Sequence, residues 1–515
     1  MMKLKRFLAA ILAVLMCITA LASCAGNDKD QPADSSGNTE DSGDKSASET
    51  EDDKVLTKFE IQFSKENEKL LSEILAAEIE SSDAEKHLPN VSKEAEARVR
   101  AGDNGWTYVY EDVEKEFYDE YCDALLKTGV FAQYTETEFN GKLSKEVHNY
   151  FTTFVSRFAQ IDIGLHDAFS RMYVTVTQRS KSVLPPREAP AYEAVGAEYP
   201  TIWTQFGLED IDDRESSLGY IIRIADGSFI IMDSGEPFEG VEERIYNILK
   251  LQAPDPENIV ISAWIITHAH SDHVGGFLRF AERYGSDKTI NVKQMVYNFA
   301  DSSNIATVDG SMQNSVRSAV KEFHSNPEIL KPHAGNVLYY ADVKINILYT
   351  QEEHLAVETY FGNYNATSIV TQFVMADGTK LLIGADHPVD GVYQGYTWCE
   401  GALWKWYGDF IESYVVSTFH HGYGGGADSV IYSAIKPKLV LWGVDESRVE
   451  LNKLKETSTN RYFASLSAAS KGIRYYIAGD DVVILTFSDG EAHATRYDNF
   501  DDYKAGKIAA EANAN

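Results

Sequence analysis

Six residues, His268-Ala269-His270-Ser271-Asp272-His273, constrain this chain more than any other stretch. They follow Ile259-Val260-Ile261-Ser262-Ala263-Trp264-Ile265-Ile266, a short, β-branched, nearly uncharged run that reads as a strand buried on both faces. Gly275-Gly276 and a helical stretch from Phe277 to Tyr284 come next. Three imidazoles and a carboxylate at the C-terminal end of a buried strand are ligands for a borderline divalent ion. His268 and His270 can point to one place while Asp272 and His273 swing past it in the turn, which suits two neighbouring ions better than one. The chain has 13 His in 515 residues, so a chance cluster of three in six is a poor explanation.

His-x-His-x-Asp-His followed by Gly-Gly, after a buried strand, resembles the signature of the metallo-β-lactamase-fold hydrolases. The resemblance extends to later strand ends. Leu218 to Ile224 and Ser228 to Met232 form a hairpin about the Asp226-Gly227 turn. It ends in Asp233-Ser234-Gly235, and the resemblance gives Asp233 the role of supporting the metal loop. Val241 to Leu251 then reads as a helix with Val241, Ile245, Ile248 and Leu249 on one face. Ser368 to Met375, the Asp377-Gly378 turn and Lys380 to Ile383 form a second hairpin, running into Gly384-Ala385-Asp386. The resemblance makes Asp386 the carboxylate that bridges two metals, although the inserted Ala385 departs from the usual Gly-Asp. Tyr414 to Thr418 leads into Phe419-His420-His421-Gly422, which is similar to the last ligand motif of the family. His421 is the better ligand, and His420 becomes a supporting group or proton donor.

One family position is altered. A third His on the first metal is expected just before the hairpin that precedes the bridging Asp. Here that place reads Gly362-Asn363-Tyr364-Asn365-Ala366-Thr367-Ser368. Asn365 is a weak metal ligand but a good donor to a water or an oxyanion. Both Asn at this place and the doubled His-His-Gly resemble the branch containing the hydrolase domain of the competence proteins of DNA uptake. The resemblance therefore implies metal ligands His268, His270, Asp272, His273, Asp386 and His421, with Asp272, His420 and Asn365 serving the chemistry. It implies two divalent ions, with zinc and manganese both fitting. His324, His333 and His354 lie in the less legible span between the motifs and read as structural or exposed; His333 is the one of the three that could instead complete a metal shell.

The rest of the chain sets the context. Residues 1–23 carry Lys3, Lys5 and Arg6 before an apolar core from Phe7 to Leu21, a secretory leader too short for a membrane span. Leu21-Ala22-Ser23-Cys24 resembles a bacterial lipoprotein cleavage box, which implies lipid on Cys24 and attachment to a membrane; an ordinary leader with an incidental Cys is the alternative. Residues 24–54 are Asp, Glu, Ser and Gly with few apolar groups, a disordered acidic stalk. The net charge of −32 becomes −35 once Lys3, Lys5 and Arg6 leave with the leader, which argues against nucleic-acid backbone as a partner.

Residues 55–190 read as a small α+β accessory domain. Leu70, Leu71, Ile74, Leu75 and Ile79 have helical spacing, as do Val113, Phe117, Tyr121 and Leu125, and strand-like runs follow from Val147 onward. Its aromatic run, Tyr108 to Tyr121, is either core or a carbohydrate-binding face. The hydrolase-like domain spans 200–490 and a tail 491–515, with the domain expected to fold without 1–190. The expected architecture is α/β, an αββα metallo-β-lactamase sandwich behind the N-terminal accessory domain. The expected activity is surface-anchored hydrolysis by a metal-activated water, first of a phosphodiester or other phosphorylated extracellular compound. An ester or amide such as a β-lactam is the alternative substrate. A non-catalytic metal-binding lipoprotein is the alternative class.

Overall fold

The computed structural model describes residues 65–76, 84–102, 105–178, 183–185, 199–207, 218–301, 303, 310–355, 364–387, 392–393, 396–397, 403–423, 429–444, 473–476 and 481–514. The leader, Cys24 and the acidic stalk lie outside these residues, as do Ile79 and Asn363. Among the described residues no helix is long and apolar enough to cross a membrane.

Two mixed sheets carry the metal motifs. The first runs, by neighbour, through Glu328–Leu330, Gln294–Val296, Ile259–Ile265, Phe229–Asp233, Gly219–Arg223, Ile202–Phe206, Val482–Ser488 and Glu491–Tyr497, with Ile290–Val292 also pairing Ile259–Ile265. The second runs through Val337–Tyr340, Val343–Tyr349, Val370–Val374, Lys380–Ile383, Val415–Ser417, Leu439–Trp442 and Ile473–Tyr476. Each sheet is antiparallel on one side and parallel on the other. Both hairpins use the same turn. Asp226 Oδ1 accepts from Ser228 N and Asp377 Oδ1 from Thr379 N, each at 2.9 Å, while Gly227 and Gly378 take φ of +83° and +88°. A side chain there would be strained.

Strand periodicity builds the layers. In Phe229–Asp233, Ile230 and Met232 face the second sheet, in a core with Trp203, Tyr220, Phe373, Leu381 and Ile383. Phe229 and Ile231 face the other way, onto the helices Val241–Gln252 and Ser271–Tyr284 through Ile245, Ile248, Phe277 and Phe280. On the far side Leu382, Val416 and Val440 pack on Leu403, Tyr407, Ile431 and Ile435 from the helices Leu403–Tyr407 and Ser429–Ile435. Helices, sheet, sheet and helices thus form four layers. Each fully buried aliphatic side chain contributes about 1.5–3 kcal/mol, which ordering the chain largely offsets.

The region read as an accessory domain is a six-stranded antiparallel sheet between residues 97 and 178. The helix Lys115–Lys127 packs on it through Tyr118, Tyr121 and Leu125, so the aromatic run is largely core. Its boundary near 190 marks a change of sheet and not a gap in packing, because residues 54–515 form one compact unit. Phe151 of the N-terminal sheet sits where Gly335 has φ +84° and where a Cβ would come within 2.1 Å of the ring. Thr137 Oγ1 donates to Gly335 O at 2.6 Å, and Val183 bridges Leu330. The stretch from 491, expected as a tail, is structured. Glu491–Tyr497 completes a hairpin with Val482–Ser488, and the helix Phe500–Ala514 follows, its Tyr503 buried against Val482 and Ile484.

Candidate metal centre

The candidate ligands sit past the C-terminal ends of three strands, Ile259–Ile265, Lys380–Ile383 and Val415–Ser417, where each sheet is parallel. After Ile265 the chain stays extended to His270, which precedes the helix Ser271–Tyr284 with φ −89° and ψ 155°. Asp272 and His273 therefore lie in the first helical turn, where the sequence suggested only a loop. Gly275 and Gly276 explain how that turn comes so close to its neighbours. A Cβ on Gly275 would sit 2.3 Å from Pro237 N, and one on Gly276 2.1 Å from Ser234 O. Any larger residue would push the helix start, and His273 with it, away from the centre.

Asp233 ends its strand with φ +52° and is fully buried. Its carboxylate accepts from Thr267 N at 2.9 Å, from Thr267 Oγ1 at 2.7 Å and from His273 Nδ1 at 2.8 Å. An ionised carboxylate only accepts, so Nδ1 of His273 carries a proton and Nε2 is the nitrogen left to ligate once its own proton is displaced. The neutral ring with its proton on Nδ1 is the tautomer a metal at Nε2 requires.

Two left-handed turns supply the other side. Ala385 has φ +47°, and a Cβ on Gly384 would fall 2.2 Å from the Phe419 ring, so the inserted alanine carries Asp386 past Phe419 into the centre. His420 and His421 have φ of +49° and +51°. They are held there by His420 N donating to Ala385 O at 2.8 Å and Trp442 Nε1 donating to His421 O at 2.9 Å. Strained backbone of this kind persists only where the surroundings hold it in place.

The side chains converge as two groups that could hold an ion, Asp272, His273, Asp386 and His421 in one and His268, His270 and Asp386 in the other, each with its ligand atoms within 4.8 Å of one another. Asp386 belongs to both. Its Oδ1 lies 3.2 Å from His273 Nε2 and 3.4 Å from His421 Nε2, and its Oδ2 lies 3.8 Å from His268 Nε2 and 3.9 Å from His420 Nε2. His421 Nε2 is 3.1 Å from Asp272 Oδ2, and His268 Nε2 is 3.0 Å from His270 Nδ1. An ion with bonds of about 2.1 Å in a tetrahedral shell sets its ligands about 3.4 Å apart. Among the described residues His273 Nε2, His421 Nε2 and Asp386 Oδ1 are buried without a hydrogen-bond partner, although they face one another. Buried polar atoms that face one another without a hydrogen bond are what a cation would satisfy, so the residues present fit a metal.

Burial opposes charging His273, but Asp386, Asp233 and Asp272 raise its pKa well above the ordinary value, so an ion there would have to displace a proton from Nε2. Burial opposes ionising Asp386, but the imidazoles of His273, His421 and His420 outweigh it and hold the carboxyl well below the usual range. Burial likewise opposes ionising Asp272, and His273 and His421 again prevail. Burial, helped by His273 and His270, keeps His268 neutral, the form that can ligate. Asn365 is buried, with Nδ2 3.1 Å from His420 Nε2, which in turn lies 3.9 Å from Asp386 Oδ2.

His333 is structural, as the sequence reading favoured, and does not complete a metal shell. It joins neither group but lies fully buried between Asp162 of the N-terminal sheet and Glu352, at 3.4 Å from each. The sequence reading also missed Glu236, half-buried beside the centre. Burial first, and the charge of Asp272 second, raise its carboxyl pKa. Its position two residues after the Asp233-Ser234 strand end was the available signal.

Residues 212–357 match the profile of the metallo-beta-lactamase superfamily. That span contains the histidine cluster but ends before Asp386 and His421, which the fold brings to it. No curated protein matches the chain. Among solved structures, the metallo-beta-lactamase fold protein YhfI of Bacillus subtilis is similar at 12% identity and TM-score 0.29, over 47% of this chain and 85% of that one. CmlA, a diiron beta-hydroxylase of Streptomyces venezuelae, is similar at 12% identity and TM-score 0.33, over 56% of this chain and 54% of its own. A metallo-beta-lactamase of Cronobacter sakazakii with the HARLDQ motif gives 12% identity and 0.24, over 39% and 74%. Likenesses this slight say nothing of activity or substrate.

Proposed function

We propose that this chain, which carries a domain of the metallo-β-lactamase superfamily, a superfamily of hydrolases, cleaves a phosphodiester or other phosphorylated extracellular compound with the help of two divalent ions. The observation that carries the reading is Asp386, whose two carboxylate oxygens each face a different cluster of ligand atoms. When bound, the ions supply Lewis acidity and lower the pKa of a coordinated water, which makes a Ser or Cys nucleophile unnecessary. Zinc and manganese both suit His and Asp donors.

The chain's own groups do the rest. Asp272, His273, His421 and Asp386 would hold one ion, and His268, His270 and Asp386 the other. Asp233 keeps His273 in its ligating tautomer. Asn365 keeps its amide beside His420, where it can steady an oxygen that gains charge. His420, less buried than His421, can hold a proton at the rim and pass it to a leaving group. The phosphorylated substrate is argued from the resemblance of the His-His-Gly and Asn365 motifs, which is analogy. The acidic chain favours a small or cell-surface substrate over nucleic acid. Cys24 would anchor the body to the outer face of the membrane, with residues 24–54 as its tether.

The test pairs metal content with turnover. The purified chain, given zinc or manganese, should cleave bis-p-nitrophenyl phosphate in proportion to the second ion bound. Cleavage of p-nitrophenyl acetate alone would move the reading to esters. Metal binding without any turnover would leave a binding lipoprotein. In cells, a fatty-acid probe should label the protein and should fail to label Cys24→Ala; equal labelling of both would end the anchor.

A further inference from the structure

We propose that Tyr349 is a positioning residue of the metal centre, and that the ring stack behind it makes the N-terminal sheet part of the site's scaffold. The inference rests on the two-ion reading above.

Tyr349 ends the strand Val343–Tyr349 and is fully buried. Its hydroxyl donates to Ala366 O at 2.9 Å, the carbonyl next after Asn365. Its ring lies 4.1 Å from that of His387, the residue next after Asp386. One side chain thus grips the neighbours of the bridging carboxylate and of the Asn365 amide. Interiors are close-packed, so a shift of this ring passes to both turns.

Behind Tyr349 the Trp406 ring stacks at 6.1 Å and 11°, and behind Trp406 the His166 ring stacks at 4.7 Å and 18°. His166 belongs to the strand Ala159–His166 of the N-terminal sheet, and its orientation is fixed. Asn149 Nδ2 donates to Phe139 O and to Trp406 O, both at 2.7 Å. Its Oδ1 is therefore the acceptor for His166 Nδ1 at 2.7 Å. The stack begins in a ring that cannot flip and ends beside Asp386, which gives the N-terminal sheet a physical route to the site. Intermediacy alone does not establish coupling, so the test measures it.

Tyr349→Phe in the full chain keeps the ring and removes one hydrogen bond. With bis-p-nitrophenyl phosphate, kcat should fall about tenfold while KM stays within about twofold, the signature of a misplaced reacting group. The double variant Tyr349→Phe/Asn365→Ala should lose less than the product of the two single losses, because the Tyr349 hydroxyl acts in part through the Asn365 turn. Independently of turnover, the d–d absorption of the second Co2+ bound should shift in Tyr349→Phe. It should shift likewise in Trp406→Leu, or in His166→Leu if the first does not fold. An unchanged cobalt spectrum in Tyr349→Phe overturns the proposal, as do rate losses that multiply in the double variant. A wild type that binds cobalt but cleaves no diester sinks the hydrolase reading and leaves the cobalt band to decide this one.

Discussion

Two buried clusters in this molecule are built from the same residue types and do opposite things. At the candidate metal centre His273, His421 and Asp386 turn buried nitrogens and a carboxylate oxygen without a hydrogen-bond partner toward one another. At the seam between the N-terminal sheet and the strands of the hydrolase domain, His333, Asp162, Glu352, Glu353 and His166 are as deeply buried. There the carboxylates are individually satisfied. Glu352 accepts from Asn298 Nδ2 at 3.0 Å and Thr350 Oγ1 at 2.6 Å, and Asp162 accepts from Thr153 Oγ1 and Gln160 Nε2 at 2.7 and 2.8 Å. His333 lies between two carboxylates as a cation would. Burial opposes its charge, yet Asp162 and Glu352 raise its pKa. Against the same burial, His333 holds Glu352 down to about 2. Composition does not distinguish a ligand set from an ion-pair seam. A buried carboxylate oxygen without a donor does: Asp386 Oδ1 lacks one, whereas among these seam residues only ring nitrogens of His333 and His166 lack a hydrogen-bond partner.

Five substitutions would break or sharpen that contrast. The largest effect belongs to Asp386→Ala, which should strip both ions on dialysis and abolish turnover, because no other residue is common to both groups. His268→Ala should lose mainly the ion with fewer protein ligands. Metal per chain, measured against rate as metal is restored, decides this, and two ions retained by Asp386→Ala would end the bridging role.

His333→Ala should leave metal content intact and cost about 3–5 kcal/mol of stability in urea, because two buried carboxylates lose their shared cation. Loss of metal instead would mean that the two clusters are coupled.

Glu353 gives the seam a pH dependence. Its Oε1 accepts from Tyr173 and lies 4.0 Å from His166 Nε2, while Oε2 accepts from Thr350 N at 2.8 Å. Burial, with the charge of Glu352, raises its carboxyl to about 7. The unfolded chain titrates this group near 4.3, so between those values the folded chain holds a proton that the unfolded chain has lost. The contribution is fully present below the unfolded value and is lost as pH rises through about 7. Glu353→Gln should therefore stabilise the protein at pH 8 by up to about 3 kcal/mol relative to wild type and make no such difference at pH 4. Denaturation of both proteins across that range gives the answer, and parallel curves would contradict it.

The smallest effect is expected at Asp233→Asn. An amide can donate to His273 Nδ1 and so place the ring proton on Nε2, the wrong nitrogen for a metal. Affinity at the Asp272 group should fall about 10–100-fold, with the His268 group less affected. Equal losses at both would show that Asp233 acts on the whole loop and not through His273.

The sequence by itself determined what is local. Alternating β-branched residues wrote the strands, Asp-Gly pairs wrote both hairpin turns, and His268 to His273, Asp386 and His421 could be read at strand ends because a strand end is a sequence feature. Asp233 was legible for the same reason, as was Asn365 in place of a histidine. Tertiary structure alone decided what depends on distant partners. Nothing near His333 in sequence reveals that Asp162 will face it, so a structural role could be read there but not the partners that give it. The hairpin Val482–Ser488 and Glu491–Tyr497 looked like a domain end and a tail, yet it extends the sheet by pairing with Ile202–Phe206, almost three hundred residues earlier. The left-handed turns at Ala385, His420 and His421 are backbone conformations that no local preference of those residues favours; Phe419, Trp442 and the facing carbonyl impose them. Periodicity and turn chemistry act within a few residues, whereas packing and buried charge depend on which surfaces meet, and only the folded chain fixes that.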